Sequence, residues 1–174
     1  MQLQEAISLI QTEEINSKSK SSWADLGCGS GLFTRALATM LYEGSTVYAV
    51  DKNMSSFNAS PFPNNVIINP MKSDFVKDEF VLRNLDGILM ANALHFVRHK
   101  KSFIEKMSPY FRDAPVFLMV EYDTDLPNPW VPYPLNFITL RNLFTEIGFA
   151  LVKKINKRKS RYRSGELYSV LIIR

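Results

Sequence analysis

The chain has 174 residues, 46% of them hydrophobic, and a formal net charge of +4 at pH 7. This length and composition exclude a disordered or low-complexity chain and predict a single domain with a sizeable core. The one cysteine, Cys28, excludes an internal disulfide and cannot by itself form a metal site. No apolar run could cross a bilayer, and Glu5 stands where a signal peptide would be basic. We therefore expect a cytoplasmic protein with no membrane partner.

The first predicted element is a helix in residues 2–12, where Leu3, Ile7 and Ile10 recur at helical spacing. A polar run without apolar periodicity follows it. We therefore expect residues 1–22 to form a leading helix and linker, and residues 23–174 to form the core of one domain that spans residues 1–174.

The core is predicted to open with a strand that contains Asp25 and runs into a turn with glycines at alternate positions, Gly27, Gly29 and Gly31. Helical periodicity follows the turn. Because glycine allows positive φ and lets a ligand lie against the backbone, this is a nucleotide-type turn. A dinucleotide-binding turn would need another glycine at position 32, where this chain has leucine. The Asp-x-Gly-x-Gly-x-Gly pattern instead resembles the first motif of class I S-adenosylmethionine-dependent methyltransferases.

The resemblance implies an α/β fold: a single doubly wound seven-stranded sheet, mostly parallel with an antiparallel final strand, and helices on both faces. It also implies S-adenosyl-L-methionine as the cofactor and direct transfer of its methyl group to a nucleophilic atom. Asp25 beside the turn suits the zwitterionic end and the sulfonium of that cofactor. Cys28 lies between two of the glycines. We interpret it as a small residue in a crowded cofactor-binding turn, with a nucleophilic role as the alternative.

The second predicted strand, residues 46–50, ends at Asp51. An acid at the carboxyl end of this strand can accept hydrogen bonds from both hydroxyls of a ribose, and Lys52 follows it in the predicted cofactor site. The alternative is an exposed turn. Residues 54–64 include two prolines, so the helix that is usual at this position should be short or distorted.

A third strand is predicted at residues 66–68, and Ser73, Asp74 and Phe75 follow it. These three residues resemble the family's adenine-edge motif, in which the Asp accepts a hydrogen bond from the exocyclic amine and its apolar neighbour lies against the ring. The alternative is a surface ion pair between Lys72 and Asp74.

The fourth predicted strand, residues 86–90, leads into Asn92 and His95. Ligands of open α/β sheets lie at the carboxyl ends of the strands where the strand order reverses, so this segment should face the transferred methyl group. The resemblance extends to an Asn after this strand and a His three residues further on. His95 is a candidate catalytic base; alternatively, it lines the pocket with one ring nitrogen on a backbone carbonyl. His99 and the lysines after it are interpreted as a solvated helix start.

A helix at residues 100–111 and a strand at residues 116–120, buried on both faces, follow. Four prolines then stiffen the loop at residues 123–134. We expect the substrate side of the cleft to be formed by Glu121, Tyr122, Trp130, Tyr133 and Arg141. Alternatively, the aromatic residues seal the sheet against the next helix, residues 135–147, and Arg141 lies in water.

Gly148 should end that helix. The strands predicted at residues 149–155 and 166–173 are too close for a crossover connection, so they should form an antiparallel hairpin, as is typical of the methyltransferase family. Residues 151–174 hold eight Lys/Arg and one acid, and seven of the eight lie within residues 153–163. Such a cluster could bind RNA through phosphates and Tyr162, but an edge strand protected from self-association would look the same.

The sequence therefore predicts an S-adenosylmethionine-dependent methyltransferase whose partner is a small-molecule acceptor. Two alternatives stay open. One is an RNA methyltransferase that uses the basic hairpin at residues 153–163. The other is a partner subunit that binds S-adenosylmethionine and transfers nothing.

Overall fold

Seven strands form one sheet in the computed structural model, which describes residues 1–15, 18–58, 61–159 and 165–174. The strands are β1 (Ser22–Leu26), β2 (Thr46–Asp51), β3 (Ile67–Lys72), β4 (Gly87–Ala91), β5 (Val116–Tyr122), β6 (Leu151–Lys159) and β7 (Glu166–Ile173). The described residues form the α-helices α1 (Leu3–Ile10), α2 (Leu32–Ala38), α3 (Lys100–Met107) and α4 (Phe137–Glu146). Single 3₁₀ turns lie at Glu13–Ile15, Pro63–Asn65, Leu94–Phe96 and Ser108–Tyr110.

The strand order is β3-β2-β1-β4-β5-β7-β6. Neighbours from β3 to β5 pair in parallel, and β7 runs antiparallel to both β5 and β6. The predicted seven-stranded sheet with an antiparallel final strand is confirmed. The order reverses at β1, which lies between β2 and β4, so the carboxyl ends of these three strands border a crevice.

Helices cover both faces of the sheet. On one face α1 and α2 bury Leu9 and Leu37 in a core that includes Trp23. On the other face α3 and α4 bury Ile104 and Phe144 in a second core. The central strands contribute side chains to both cores, which is why β4 and residues 116–120 of β5 are continuous apolar runs in the sequence.

The edge strands differ most from the prediction. β3 runs on to Lys72 through Pro70, which an edge strand tolerates because only one side needs backbone donors. β6 starts later than predicted and continues through its lysine-rich end to Lys159. It is an edge strand that pairs only with β7, and charged side chains are common on such strands. Residues 160–164, which include much of the predicted basic hairpin loop, lie outside the described residues.

The helices are shorter than the periodic patterns that predicted them. α3 ends at Met107, and Pro109 turns the rest of the predicted helix into a 3₁₀ turn because it cannot supply the next helical hydrogen bond. Gly148 follows α4 with a φ of +87°, as its predicted role at the end of that helix requires. None of the described helices is both long and apolar enough for a membrane span.

Two connections on the crevice side lack an α-helix within their described residues. Between β2 and β3 there is only the 3₁₀ turn Pro63–Asn65, which agrees with the short or distorted helix predicted there. Between β3 and β4 the described chain forms turns alone. The side of the crevice next to β2 and β3 is thus bordered by loops.

Candidate active site

The glycine turn after β1 has a backbone that side chains would strain. Gly27, Gly29 and Gly31 have φ values of +83°, +53° and +82°. A Cβ on Gly27 would lie 2.8 Å from the Cβ of Ala93, and a Cβ on Gly31 would lie 2.9 Å from Phe57 Cε2. A Cβ on Gly29 would meet no protein atom within 4 Å. Two of the glycines therefore allow close packing, whereas Gly29 borders open space.

Asp51 at the end of β2 holds the glycine turn in place. Its Oδ2 accepts a hydrogen bond from the backbone N of Gly29 at 2.9 Å, and its Oδ1 accepts one from the backbone N of Asn53 at 2.9 Å. Each carboxylate oxygen can accept a second hydrogen bond. Because Asp51 is only partly buried, its remaining acceptor sites can serve a ligand.

A cleft opens beside this turn at the carboxyl ends of β1, β2 and β4. It is lined by Gly27, Asp51, Lys52, Asp74, Phe75, Val76, Asn92, Ala93 and Phe96. Six of these nine residues were predicted as cofactor-binding from the sequence. The other three, Val76, Ala93 and Phe96, have apolar side chains. Only their position next to predicted site residues could have indicated them.

The segment after β3 presents an acid and a ring to the cleft. Phe75 is buried and packs edge-on against Phe103, with ring centroids 6.0 Å apart. Asp74 is oriented by its own turn, since its Oδ1 accepts from the backbone N of Val76 at 3.1 Å. Its ion-pair partner is Lys77, at 3.9 Å, instead of the Lys72 that the alternative interpretation named.

The side chain of Ser73 contacts Asp74 only indirectly, through Asp78. Its hydroxyl donates to Asp78 Oδ2 at 2.8 Å, and the same oxygen accepts from the backbone N of Asp74 at 2.8 Å. The structure therefore places Ser73 in the turn that orients Asp74, and Ser73 does not line the cleft.

Asp25 lies within β1 beneath the turn and is completely buried. Its Oδ2 accepts from Thr34 Oγ1 at 2.6 Å, and its Oδ1 has no hydrogen-bond partner among the described residues. Burial raises the pKa of Asp25 to about 7, and the charge of Asp51 adds to this effect. Burial also raises the pKa of the Cys28 thiol, which disfavours the thiolate that a nucleophilic role would need.

Asn92 follows β4 in a left-handed conformation with a φ of +53°. Its backbone N donates to the carbonyl of Val120 at 2.8 Å, which ties it to β5. Its side-chain Oδ1 is buried and, like Asp25 Oδ1, has no partner among the described residues. A buried acceptor without a partner is costly, so each of these two oxygens is a position that a donor would stabilise.

His95 and Glu121 form a buried pair next to the cleft. His95 Nδ1 lies 2.6 Å from Glu121 Oε2, and Glu121 Oε1 accepts from the backbone N of His95 at 3.2 Å. The partner of the ring is thus a carboxylate and not the backbone carbonyl of the alternative interpretation. The His95 ring also packs against Phe96, with centroids 4.4 Å apart, and Phe96 lines the cleft.

Four of the five predicted substrate-side residues lie near His95 or in the loop fastened to it, and the fifth, Arg141, does not. Glu121 is buried beside His95, and the Tyr122 ring centroid lies 6.1 Å from that of His95. Tyr133 donates from its backbone N to the carbonyl of His95 at 3.0 Å, and Trp130 is 76% exposed. Arg141 is exposed on α4 and does not line the cleft.

Four of the five cations of β6 pair with acids from other parts of the described chain. Lys153 pairs with Glu14, Arg158 pairs with Glu5, Lys154 lies 3.5 Å from Asp123, and Lys157 lies 3.2 Å from Glu166. These four side chains link the edge strand to α1, to the 3₁₀ turn that follows α1, to the residue after β5 and to β7. The uneven charge along the sequence is therefore partly balanced in the fold.

Two kinds of comparison place this geometry among known proteins. The sequence profile of the methyltransferase domain family matches residues 24–113. The chain belongs to that family, and its motif and sheet assign it to the class I, S-adenosylmethionine-dependent methyltransferases. A comparison with curated protein sequences finds no match.

Solved structures share the fold at low sequence identity. A SAM-dependent methyltransferase from Archaeoglobus fulgidus is 16% identical with a TM-score of 0.70, covering 99% of this chain and 94% of its own. One from Aquifex aeolicus is 16% identical with a TM-score of 0.66, covering 99% and 98%. The 1,6-didemethyltoxoflavin-N1-methyltransferase from Burkholderia thailandensis, solved with its substrate and S-adenosylhomocysteine, is 14% identical with a TM-score of 0.68, covering 99% and 77%.

Proposed function

We propose that this methyltransferase transfers the methyl group of S-adenosylmethionine to a protonated nitrogen or oxygen atom of a small, ring-bearing molecule. The observation that carries the proposal is the buried His95–Glu121 pair, whose imidazole packs against Phe96 in the lining of the glycine-turn cleft. One side would bind the donor, and the other would take the acceptor's proton. The small-molecule substrate named for the Burkholderia thailandensis enzyme supports this choice of acceptor class.

The residues of the cleft fit the donor. The free acceptor sites of Asp51 suit ribose hydroxyls, and Asp74 with Phe75 suits an adenine amine and ring, with Lys52 at the rim. The two buried oxygens without partners, Asp25 Oδ1 and Asn92 Oδ1, suit the positively charged end of the molecule.

The turn itself supplies the remaining space for the donor. Gly29 is the position where a ligand could lie against the backbone, because a Cβ there would meet no protein atom. Gly27, Cys28 and Gly31 would keep the turn tight beneath it. The donor supplies an activated methyl group on its sulfonium, so this chain's main tasks are alignment and exclusion of water.

The His95–Glu121 pair can receive a proton. Because the Glu121 carboxylate faces Nδ1, the proton of a neutral imidazole belongs on Nδ1, and Nε2 carries the free lone pair. An acceptor N–H or O–H beside Nε2 would lose its proton there as its lone pair attacks the methyl carbon. Glu121 would stabilise the resulting imidazolium, and the proton would leave to solvent when the products dissociate.

The aromatic side chains nearby favour a flat acceptor. Phe96, 48% exposed, lines the cleft beside His95, and Tyr133 is joined to His95 through its backbone. Flat apolar surfaces bind rings with little loss of side-chain entropy. We infer that Trp130 and Tyr122 complete this wall, and that Arg141 on α4 stays outside it.

The test is transfer of tritium from methyl-labelled S-adenosylmethionine to the low-molecular-mass fraction of a cell extract. Wild-type protein should label a small molecule, and His95→Gln should transfer about 10²–10⁴-fold more slowly at unchanged donor affinity. His99→Gln, at the exposed second histidine, is the matched control. Unchanged transfer by His95→Gln would reduce His95 to a pocket wall.

Label in RNA would favour the RNA alternative, and donor binding without any labelled product would favour the non-catalytic subunit.

A further inference from the structure

Lys100 makes contacts that a solvated helix start would not. It is the first residue of α3, and its Nζ donates to the carbonyl of Val97 at 2.9 Å and to the carbonyl of Tyr133 at 2.8 Å. Nζ also lies 5.7 Å from the centre of the Tyr133 ring. Lys100 is half-buried, whereas the next residue, Lys101, is exposed. Lys100 therefore bridges the segment after β4 and the loop after β5.

The position is unfavourable for a cation. The first turn of a helix is the positive end of its dipole and ordinarily favours acids or neutral caps. Burial lowers the pKa of Lys100, and the negative charge of Glu121 opposes that shift. The helix dipole therefore does not account for the placement of Lys100, whereas its two hydrogen bonds to backbone carbonyls do stabilise it there.

What Lys100 holds is the backbone of Tyr133. The backbone N of Tyr133 donates to the carbonyl of His95 at 3.0 Å, and the carbonyl of Tyr133 accepts from Lys100 Nζ. Both backbone polar groups of Tyr133 therefore bind residues that follow β4. Upstream, Asn128 Oδ1 accepts from the backbone N of Trp130 at 2.9 Å and closes a tight turn with Trp130 at its exposed tip. Tyr133 is thus where the loop that carries Trp130 is fastened beside His95.

We propose that Lys100 is a positioning residue that fixes the Trp130–Tyr133 wall of the acceptor site against His95. Its consequence for methyl transfer rests on the proposed function, but the bridge itself does not depend on which acceptor binds. Without the ammonium group, the backbone of Tyr133 would keep only its hydrogen bond to the His95 carbonyl, although Val131 and Leu135 on either side stay buried. The loop would then open more often, and the acceptor would be held less well over Nε2.

Hydrogen exchange followed by mass spectrometry tests the bridge in three variants of the whole chain. Lys100→Met keeps the apolar stem but loses the donors, Lys100→Arg restores donors to both carbonyls, and Lys101→Met is the control on the exposed neighbour. We expect amide exchange at Trp130, Val131, Tyr133 and Leu135, the residues of 129–135 that have an amide hydrogen, to be at least tenfold faster in Lys100→Met than in wild type. Lys100→Arg should restore most of the protection, and Lys101→Met should match wild type.

Two further readouts separate positioning from a general structural role. The melting temperature and the exchange of residues 101–107 in α3 should be nearly the same in Lys100→Met and wild type. Unchanged exchange in residues 129–135, or equal acceleration in α3 and the loop, would overturn the proposal. Titration of wild type with S-adenosylmethionine tests the proposed function separately, because the exchange comparison uses protein without ligand.

Discussion

Asp25 is a buried acid whose ionisation should be visible in the stability of the protein. Burial raises its pKa from an ordinary value of 3.8 to about 7, so between these values the folded state holds a proton that the unfolded state has lost. Stability from this group is therefore complete below pH 4 and is lost as the pH rises through 7, by at most about 1.4 kcal/mol per pH unit.

Asp25→Asn removes this titration and keeps an oxygen that can accept from Thr34. We expect the free energy of unfolding of wild type, relative to Asp25→Asn, to fall between about pH 4 and pH 7. Chemical denaturation at a series of pH values measures it. Parallel pH profiles for the two proteins would show that Asp25 ionises normally in the fold.

The glycines of the turn should separate folding from binding. The added methyl group of Gly29→Ala meets no protein atom, so the variant should lower the free energy of unfolding by only about 1–2 kcal/mol, the cost of its positive φ. The same methyl group should weaken donor binding, because it would occupy space proposed for S-adenosylmethionine. Gly27→Ala meets Ala93 at 2.8 Å and should cost more stability. Thermal denaturation and donor titration together check this. Equal stability losses, or wild-type donor affinity in Gly29→Ala, would contradict the geometry.

At the scale of elements, α1 is fastened to the β6 edge by polar contacts. Arg158 pairs with Glu5, Asn156 Nδ2 donates to the carbonyl of Ser8 at 2.9 Å, and Ser169 Oγ donates to the carbonyl of Leu9. The hydroxyl of Ser169 and the side chains of β6 therefore satisfy backbone carbonyls of α1. This arrangement explains how a lysine-rich edge strand stays covered on one face.

A double-mutant cycle tests whether this fastening matters. The cycle Arg158→Ala with Glu5→Gln should show a favourable coupling larger than that of Lys157→Ala with Glu166→Gln, whose side chains are more exposed. Denaturant titration of the single and double variants provides the coupling. A coupling for Arg158 no greater than that of the Lys157 control would mean that the Arg158–Glu5 pair does not help to fasten α1.

The sequence predicts the elements whose patterns are local and leaves out what depends on contacts between elements. The strand, glycine turn and helix after residue 22 follow from glycine spacing and periodicity, and the closing hairpin follows from the short distance between its strands. The pairing of Glu121 with His95 and the bridge from Lys100 to Tyr133 could not be predicted from local patterns. The first joins residues 26 positions apart, and the second joins residues 33 positions apart. Nothing in the residues around Lys100 distinguishes it from a solvated lysine.

The charge of the whole molecule is distributed differently in space than along the sequence. Residues 151–174 carry a net charge of +7 and residues 1–150 one of −3, yet four of the five described cations of β6 meet acids from α1, from the 3₁₀ turn after α1, from the residue after β5 and from β7. Counterion release requires cations that are free to meet phosphates. The pairing of these four cations reduces what β6 offers to phosphates, while Arg161 and Arg163 of the basic hairpin lie outside the described residues.

Binding of a mixed-sequence single-stranded RNA tests this point. We expect only non-specific affinity at physiological salt, with dissociation constants of about 10⁻⁴–10⁻⁶ M. The charge reversals Lys157→Glu and Lys159→Glu should leave transfer to the small-molecule acceptor unchanged. Filter binding measures the RNA affinity. Much tighter binding that these reversals abolish would restore the RNA alternative.

The central claim is that the cleft beside the glycine turn binds S-adenosylmethionine through Asp51. Calorimetric titration of S-adenosylmethionine into wild type and Asp51→Ala tests it most directly. We predict one binding site per chain in wild type. In Asp51→Ala, affinity should fall about 10–100-fold, because the variant loses charge-assisted hydrogen bonds to the ribose and the partner of Gly29. Absence of binding to wild type, or equal affinity in the two proteins, would contradict the account.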